Sequence, residues 1–126
     1  MYRGVWVSYS SDEEIYREVG KITANFKLYE CDECAKAVMQ WLQENGIQGK
    51  VIMIRTKKRR EYYILSRRLE RRGVNESITL NGIHYGVELR GLIFNNLSIE
   101  GLTRQDWIKD FQCPSEQFII EELPDL

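Results

Sequence analysis

Ile83-His84-Tyr85-Gly86-Val87-Glu88-Leu89, then Arg90-Gly91, then Leu92-Ile93-Phe94-Asn95-Asn96-Leu97, is the stretch that decides how this chain folds. Ile83, Tyr85, Val87 and Leu89 alternate with His84, Gly86 and Glu88, the period-two pattern of a strand. Arg90-Gly91 reads as a tight turn and residues 92–97 as the returning strand. With a two-residue loop, Leu89 faces Leu92, Val87 faces Phe94, Gly86 faces Asn95 and His84 faces Leu97. Directly paired residues share a sheet face, so His84 and Asn95 become diagonal neighbours, on the order of 7–8 Å apart at the backbone. Gly86 leaves room for the amide to reach the imidazole. Asn96 points to the other face, and a three-residue loop would exchange the roles of Asn95 and Asn96. An amide that accepts the ring N–H would fix the tautomer and orientation of His84.

Upstream, residues 77–80 read as a strand and Asn81-Gly82 as a type I′ hairpin turn. Residues 57–72 combine Lys57, Lys58, Arg59 and Arg60, then Tyr62-Tyr63-Ile64-Leu65, then Arg67, Arg68, Arg71 and Arg72; a strand over 62–65 and a charged connection are expected. Val51-Ile52-Met53-Ile54 is a short buried strand. Two helices come first. Ser11-Asp12-Glu13-Glu14 is a capping box, with Ile15, Val19, Ile22 and Phe26 following at helical spacing, which predicts a helix over 12–26. A second helix over 31–45 carries Cys31, Ala35, Val38, Met39 and Leu42 on its inner face and stops at Asn45-Gly46. Downstream, residues 103–111 read as a helix capped by Thr103 with Trp107 inside, and 117–123 as a last strand. Helices first and an antiparallel sheet afterwards is an α+β arrangement in one domain, residues 1–126.

Composition narrows the function. Apolar residues at 43% and charged residues at 29% describe a globular chain, and a net charge of -1 calls for neither nucleic acid nor an anionic membrane as partner. No apolar run approaches the roughly 20 residues of a membrane span. Residues 1–7 are too short and too mixed for a signal peptide. Three cysteines, an odd number, point away from a disulfide framework and towards a reducing, cytoplasmic setting. With one histidine, any imidazole chemistry must use His84.

Cys31-Asp32-Glu33-Cys34 opens the second helix. A thiol there meets the positive end of the helix dipole and free backbone N–H groups, which favour thiolate and can stabilise an oxyanion. Glu30, Asp32 and Glu33 oppose that effect, and a buried structural role is the common fate of a free cysteine. If a nucleophile opens a helix buried along its length, Cys31 fits that place better than Cys34, the alternative. Residues four, seven and eleven positions after Cys31 are Ala35, Val38 and Leu42, whereas after Cys34 they are Val38, Trp41 and Asn45. Cys31-x-x-Cys34 lacks thioredoxin-like flanks. Three Cys and one His match the inventory of a Cys3His zinc site, yet only Cys31 and Cys34 have ligand spacing, so neither metal nor cofactor is expected. The basic stretch reads as a solvated face, without the stacking motif that nucleic acid would call for.

Tyr29-Glu30-Cys31-Asp32-Glu33-Cys34-Ala35, Ser77-Ile78-Thr79-Leu80-Asn81-Gly82-Ile83-His84-Tyr85-Gly86-Val87 and Gly91-Leu92-Ile93-Phe94-Asn95-Asn96, with Gly101 and Trp107, resemble the papain-fold toxin domains of bacterial polymorphic toxins over about residues 12–112. The resemblance implies a papain-like fold and a cysteine hydrolase acting on an amide of a protein substrate, as a protease or a glutamine deamidase. It implies Cys31 as nucleophile, His84 as base and Asn95 as the third residue. It places Asn25, six residues before Cys31, as a second oxyanion donor. A cognate immunity protein and delivery into a target cell are further implications. The alternative is a catalytically silent papain-like domain, or a zinc-stabilised interaction module. Many relatives would carry Asp where Asn95 stands. Toxin domains usually end long secreted polypeptides, and this sequence opens at Met1 without a delivery module.

Overall fold

A computed structural model describes residues 11–124 and 126. Residues 1–7, read above for a leader, lie outside the described residues. Helix α1 spans Asp12–Thr23. Its cap is as expected, with Ser11 Oγ accepting the Glu14 N–H at 3.2 Å. It ends earlier than the periodicity predicts, because Asn25 and Phe26 bond back three residues, to Ile22 O and Thr23 O, and tighten the chain out of the helix. Helix α2 spans Cys31–Glu44 and strand β1 Lys50–Thr56. Then follow β2 (Leu65–Ser66), α3 (Arg67–Glu70), β3 (Ile83–Leu89), β4 (Leu92–Asn95), β5 (Ser98–Leu102), α4 (Arg104–Lys109), β6 (Phe111–Gln112) and β7 (Phe118–Leu123).

Five strands form one antiparallel sheet in the order β5-β4-β3-β1-β7. The β3–β4 register is the two-residue one, with Val87 opposite Phe94 and Leu89 opposite Leu92. Alternation along the strands separates two cores. Val51, Val87, Leu89 and Phe94 pack against α1 and α2 through Ile15, Val19, Ala35, Val38 and Leu42. On the other face, Ile52, Ile54 and Ile93 pack against Ile64, Ile78, Trp107 and Phe111. The result is the α+β, papain-like architecture of helices on an antiparallel sheet.

Four local expectations need correction. Residues 77–80 are not a strand. Ser77 Oγ accepts the Ile64 and Thr79 N–H groups at 3.1 and 3.3 Å, and Thr79 Oγ1 donates to Ile83 O at 2.8 Å, so side chains take the groups a ladder would have used. Asn81 Oδ1 accepts the Ile83 N–H at 3.1 Å, so Asn81-Gly82 closes a side-chain-supported turn before β3 rather than a hairpin between two strands. Residues 62–64 are irregular, and the connection after them is helical: Ser66 caps α3, and Asp110 receives Ser66 Oγ at 2.6 Å and the Arg68 N–H at 2.9 Å. Strand β4 stops at Asn95 instead of residue 97, because Asn95 Oδ1 takes the Leu97 N–H at 3.1 Å and turns the chain into β5, where Ser98 pairs with Asn95. No helix of the described residues is long and apolar enough to cross a membrane.

Candidate active site

Strand β3 carries the centre of the site. Its residue His84 points to the α4 side of the sheet, and its next residue, Tyr85, points to the α2 side. His84 is fully buried, 5.9 Å from the Trp107 ring in a stacked arrangement and 5.2 Å from Phe111 edge-on. Trp107 comes so close because residue 86 is glycine. A Cβ there would stand 3.0 Å from Trp107 Cζ2 and 2.6 Å from Ile93 Cγ2. The space at Gly86 is thus filled by Ile93 and Trp107, and not by the Asn95 amide.

Asn95, 4% exposed, meets the imidazole from β4, with Nδ2 and His84 Nε2 3.2 Å apart. The direction of this bond is the reverse of the expected one. A backbone N–H can only donate, so the Leu97 N–H assigns Oδ1 to itself and leaves Nδ2 to donate to Nε2. The ring proton then sits on Nδ1, which is buried without a hydrogen-bond partner. Burial in this aromatic box pushes the His84 pKa down to about 3, so the imidazole is neutral.

Cys31, at the first residue of α2, is 7% exposed and lines an open groove of about 480 Å³ with Tyr85, Asp32, Glu33 and Lys36. The backbone N–H of Tyr85, the amide of the peptide that joins it to His84, lies near enough to the Cys31 sulfur to favour its thiolate, as does the N–H of Cys31 itself. Burial raises the Cys31 thiol pKa, as do Asp32 and Glu33, while these two N–H groups lower it. Cys34 lies deeper, 1% exposed, and burial pushes its thiol up to about 12. The structure therefore brings His84 to Asn95, and Cys31 to the His84–Tyr85 peptide. No hydrogen bond joins Cys31 to the imidazole itself.

The remaining candidates fall elsewhere. Asn25 is exposed and its Nδ2 donates to Lys21 O at 3.1 Å; it does not line the groove. Asn96 faces away from His84 and donates to Lys27 O at 2.7 Å, tying the loop before α2 to the end of β4. Among the described residues, no group of three or more His, Cys, Asp or Glu side chains is placed to hold a metal ion. The Tyr85 N–H is a donor that sequence reasoning missed. Its availability depends on where β4 ends, since the β3–β4 pairing covers only Val87, Glu88 and Leu89.

A thiol on a helix, then a His on a strand, then an amide on the next strand, is the papain-like order along the chain. The sequence family described as papain fold toxin 2 matches residues 14–112. The chain belongs to this papain-fold toxin family. No curated protein and no solved structure matches the chain. All of the papain-fold toxin candidates named above, from Asn25 to Asn96, lie inside the matched residues.

Proposed function

We propose that this papain-fold toxin domain is a cysteine hydrolase of protein amides, a protease or glutamine deamidase, with Cys31 as nucleophile, His84 as base and Asn95 as the orienting residue. The observation that carries this reading is the division of labour on the imidazole. Nε2 is engaged by Asn95, and Nδ1 is left buried and unpartnered on a residue whose peptide meets the Cys31 sulfur. An unpaired buried polar atom costs on the order of 1–3 kcal/mol, a cost that a proton-transfer role for Nδ1 would account for.

The reaction would run by acyl transfer. The thiol proton passes to a bare Nδ1, and the sulfur attacks the carbonyl carbon of the substrate amide. The carbonyl electron pair moves to oxygen, and the N–H of Cys31 is a donor suited to that oxyanion. On collapse the C–N bond breaks, and the imidazolium returns the proton to the leaving nitrogen. That nitrogen departs as ammonia from a glutamine side chain or as a new amino terminus from a peptide bond. Water then cleaves the thioester to a carboxylate and restores the thiol. For Nδ1 to be bare and to reach the thiol, Nε2 must hold the proton, Asn95 must present its oxygen, which releases the Leu97 N–H, and the imidazole must move out of its aromatic box on the α4 side towards the Cys31 groove. The described conformation is accordingly a resting one.

That resting state also favours a second reading, a silent papain-like domain, because a neutral ring with its proton on Nδ1 cannot take another there. Iodoacetamide labelling of Cys31 at neutral pH, compared with free cysteine and with His84→Gln, separates the two. The hydrolase gives a fast, His84-dependent rate, and a rate no faster than free cysteine sinks it. Incubation with denatured casein then sorts the chemistry: released ammonia marks a deamidase, new amino termini a protease. In the toxin setting, the natural antagonist would be an immunity protein covering the groove.

A further inference from the structure

The Cys31 groove shares its wall with a second cavity. Asn81 and Ile83 line both, and beyond them lies a space of about 510 Å³ walled by Arg55, Lys58, Arg59 and Arg60. Arg55 is half-buried and the other three are exposed. Among the described residues, none of these four cations is in a salt bridge. The one acid in the lining, Glu61, accepts from Ser115 Oγ at 2.8 Å and from the Ser115 N–H at 3.4 Å, and the Cys113 side chain, Ser115 and the nearby Lys58 hold its carboxyl below the usual range. The basic loop is folded into place rather than free. The Thr56 N–H donates to Gly82 O at 3.0 Å, and the Thr56 hydroxyl donates to Glu61 O. The loop packs so close to Gly82 that a Cβ there would stand 2.6 Å from Thr56 Oγ1 and 2.7 Å from Glu61 O. Arg60 takes the left-handed φ of 66° in the turn.

The register places this pocket relative to the strand that lines the Cys31 groove. Arg55 is paired with Ile83, so the two share the α2-side face with Tyr85, two residues further along β3. Ile83 and Tyr85 stand ~7 Å apart along β3 and both line the Cys31 groove, so an extended peptide in that groove passes the pocket within a few residues of the thiol. We infer that the substrate polypeptide carries an anionic side chain within a few residues of the attacked amide, held by the Arg55–Lys58–Arg59–Arg60 pocket. This rests on the hydrolase reading above and adds the substrate class to it. Four cations against the single carboxylate of Glu61 leave the concavity net positive, which favours an anion there. Aspartate, glutamate and phosphoserine share the required chemistry.

Three N-iodoacetyl dipeptide amides test it: Gly-Asp, Gly-phosphoserine and Gly-Ala. Each places its second side chain about two residues from the alkylating carbon. The Cys31 thiolate displaces iodide and forms a C–S bond, and mass spectrometry reads the rate at Cys31. The anionic probes are expected to label about tenfold faster than the Ala probe at low salt. The ratio should fall to about one in high salt and in the Arg55→Ala, Arg59→Ala double variant, and stay unchanged in Lys109→Ala. A higher Asp rate assigns a carboxylate; a higher phosphoserine rate assigns a phosphate. Equal rates for all three probes overturn the inference. So does oligothymidylate binding that is lost in the double variant without any discrimination among the peptides, which would make the pocket a nucleic-acid site. If plain iodoacetamide leaves Cys31 unmodified, the hydrolase reading fails separately. Fluorescence anisotropy of fluorescein-tagged Gly-Asp and Gly-Ala peptides then decides the pocket, with selective Asp binding for it and equal binding against it.

Discussion

Asn95 Nδ2 stands 3.2 Å from His84 Nε2 while Asn95 Oδ1 accepts the Leu97 N–H at 3.1 Å, so one amide side chain sets both the end of β4 and the tautomer of the imidazole. A carboxylate could accept from both partners at once. Asn95→Asp is therefore expected to move the ring proton to Nε2, free Nδ1 and raise the His84 pKa. Iodoacetamide labelling of Cys31 at neutral pH should accelerate by about tenfold or more, within the usual range for a correctly protonated base. An unchanged or slower rate, with the urea midpoint retained, would show that the tautomer does not limit the thiol.

Acid should unfold this protein through His84. Its pKa is about 3 when folded, against an ordinary value of 6.5. Between those values the unfolded chain binds a proton that the folded one refuses, so stability is fully present above 6.5 and is lost as the pH falls towards 3. The loss is up to about 4 kcal/mol, a large part of the 5–15 kcal/mol typical of a domain. Urea denaturation across this range should show the slope in the native protein and a much flatter one in His84→Leu. Equal slopes would place the sensitivity elsewhere.

The two helix cysteines should differ in reactivity. Cys34 is deeper and its thiol is pushed up to about 12, while the N–H groups of Tyr85 and Cys31 pull against burial at Cys31. At neutral pH the fast-labelling thiol is expected to vanish in Cys31→Ala and persist in Cys34→Ala. The opposite pattern would transfer the nucleophile to Cys34.

Gly86→Ala tests the packing that buries the imidazole. The new Cβ would lie 2.6 Å from Ile93 Cγ2, 3.0 Å from Trp107 Cζ2 and 3.3 Å from Phe94 O, and the last of these is backbone. Overpacking of this kind costs about 1–3 kcal/mol, read as a lower urea midpoint. A wild-type midpoint would mean that Trp107 can withdraw from His84 at little cost.

Much of this arrangement was legible in the residues. The alternation from Ile83 to Leu89 and the Arg90-Gly91 turn carry the register, and the register puts His84 beside Asn95. Ser11 and Thr103 mark their helix starts, each accepting an N–H three residues on. What escaped depends on groups distant in sequence or on single hydroxyls. Ser77 and Thr79 look like strand residues until their side chains capture backbone groups of Ile64 and Ile83. Helix α3 is a single turn, Arg67-Arg68-Leu69-Glu70, visible only once Asp110 arrives to receive the Arg68 N–H. The sense of the Asn95–His84 bond is set by the Leu97 backbone, which no side-chain pattern announces. The cationic pocket beside Cys31 escaped for the same reason: Lys58, Arg59 and Arg60 read as a solvated run until Thr56 and Gly82 fold them against β3.

The Tyr85 amide gives the site a reporter of its own. Strand β4 leaves before reaching it, and the N–H lies near enough to the Cys31 sulfur to favour the thiolate. Its deuterium uptake will therefore follow the state of the thiol rather than the opening of the β3–β4 ladder. Carboxamidomethylation of Cys31 weakens that acceptor and should quicken exchange at Tyr85, while Val87 and Leu89, inside the ladder, keep their slow rates.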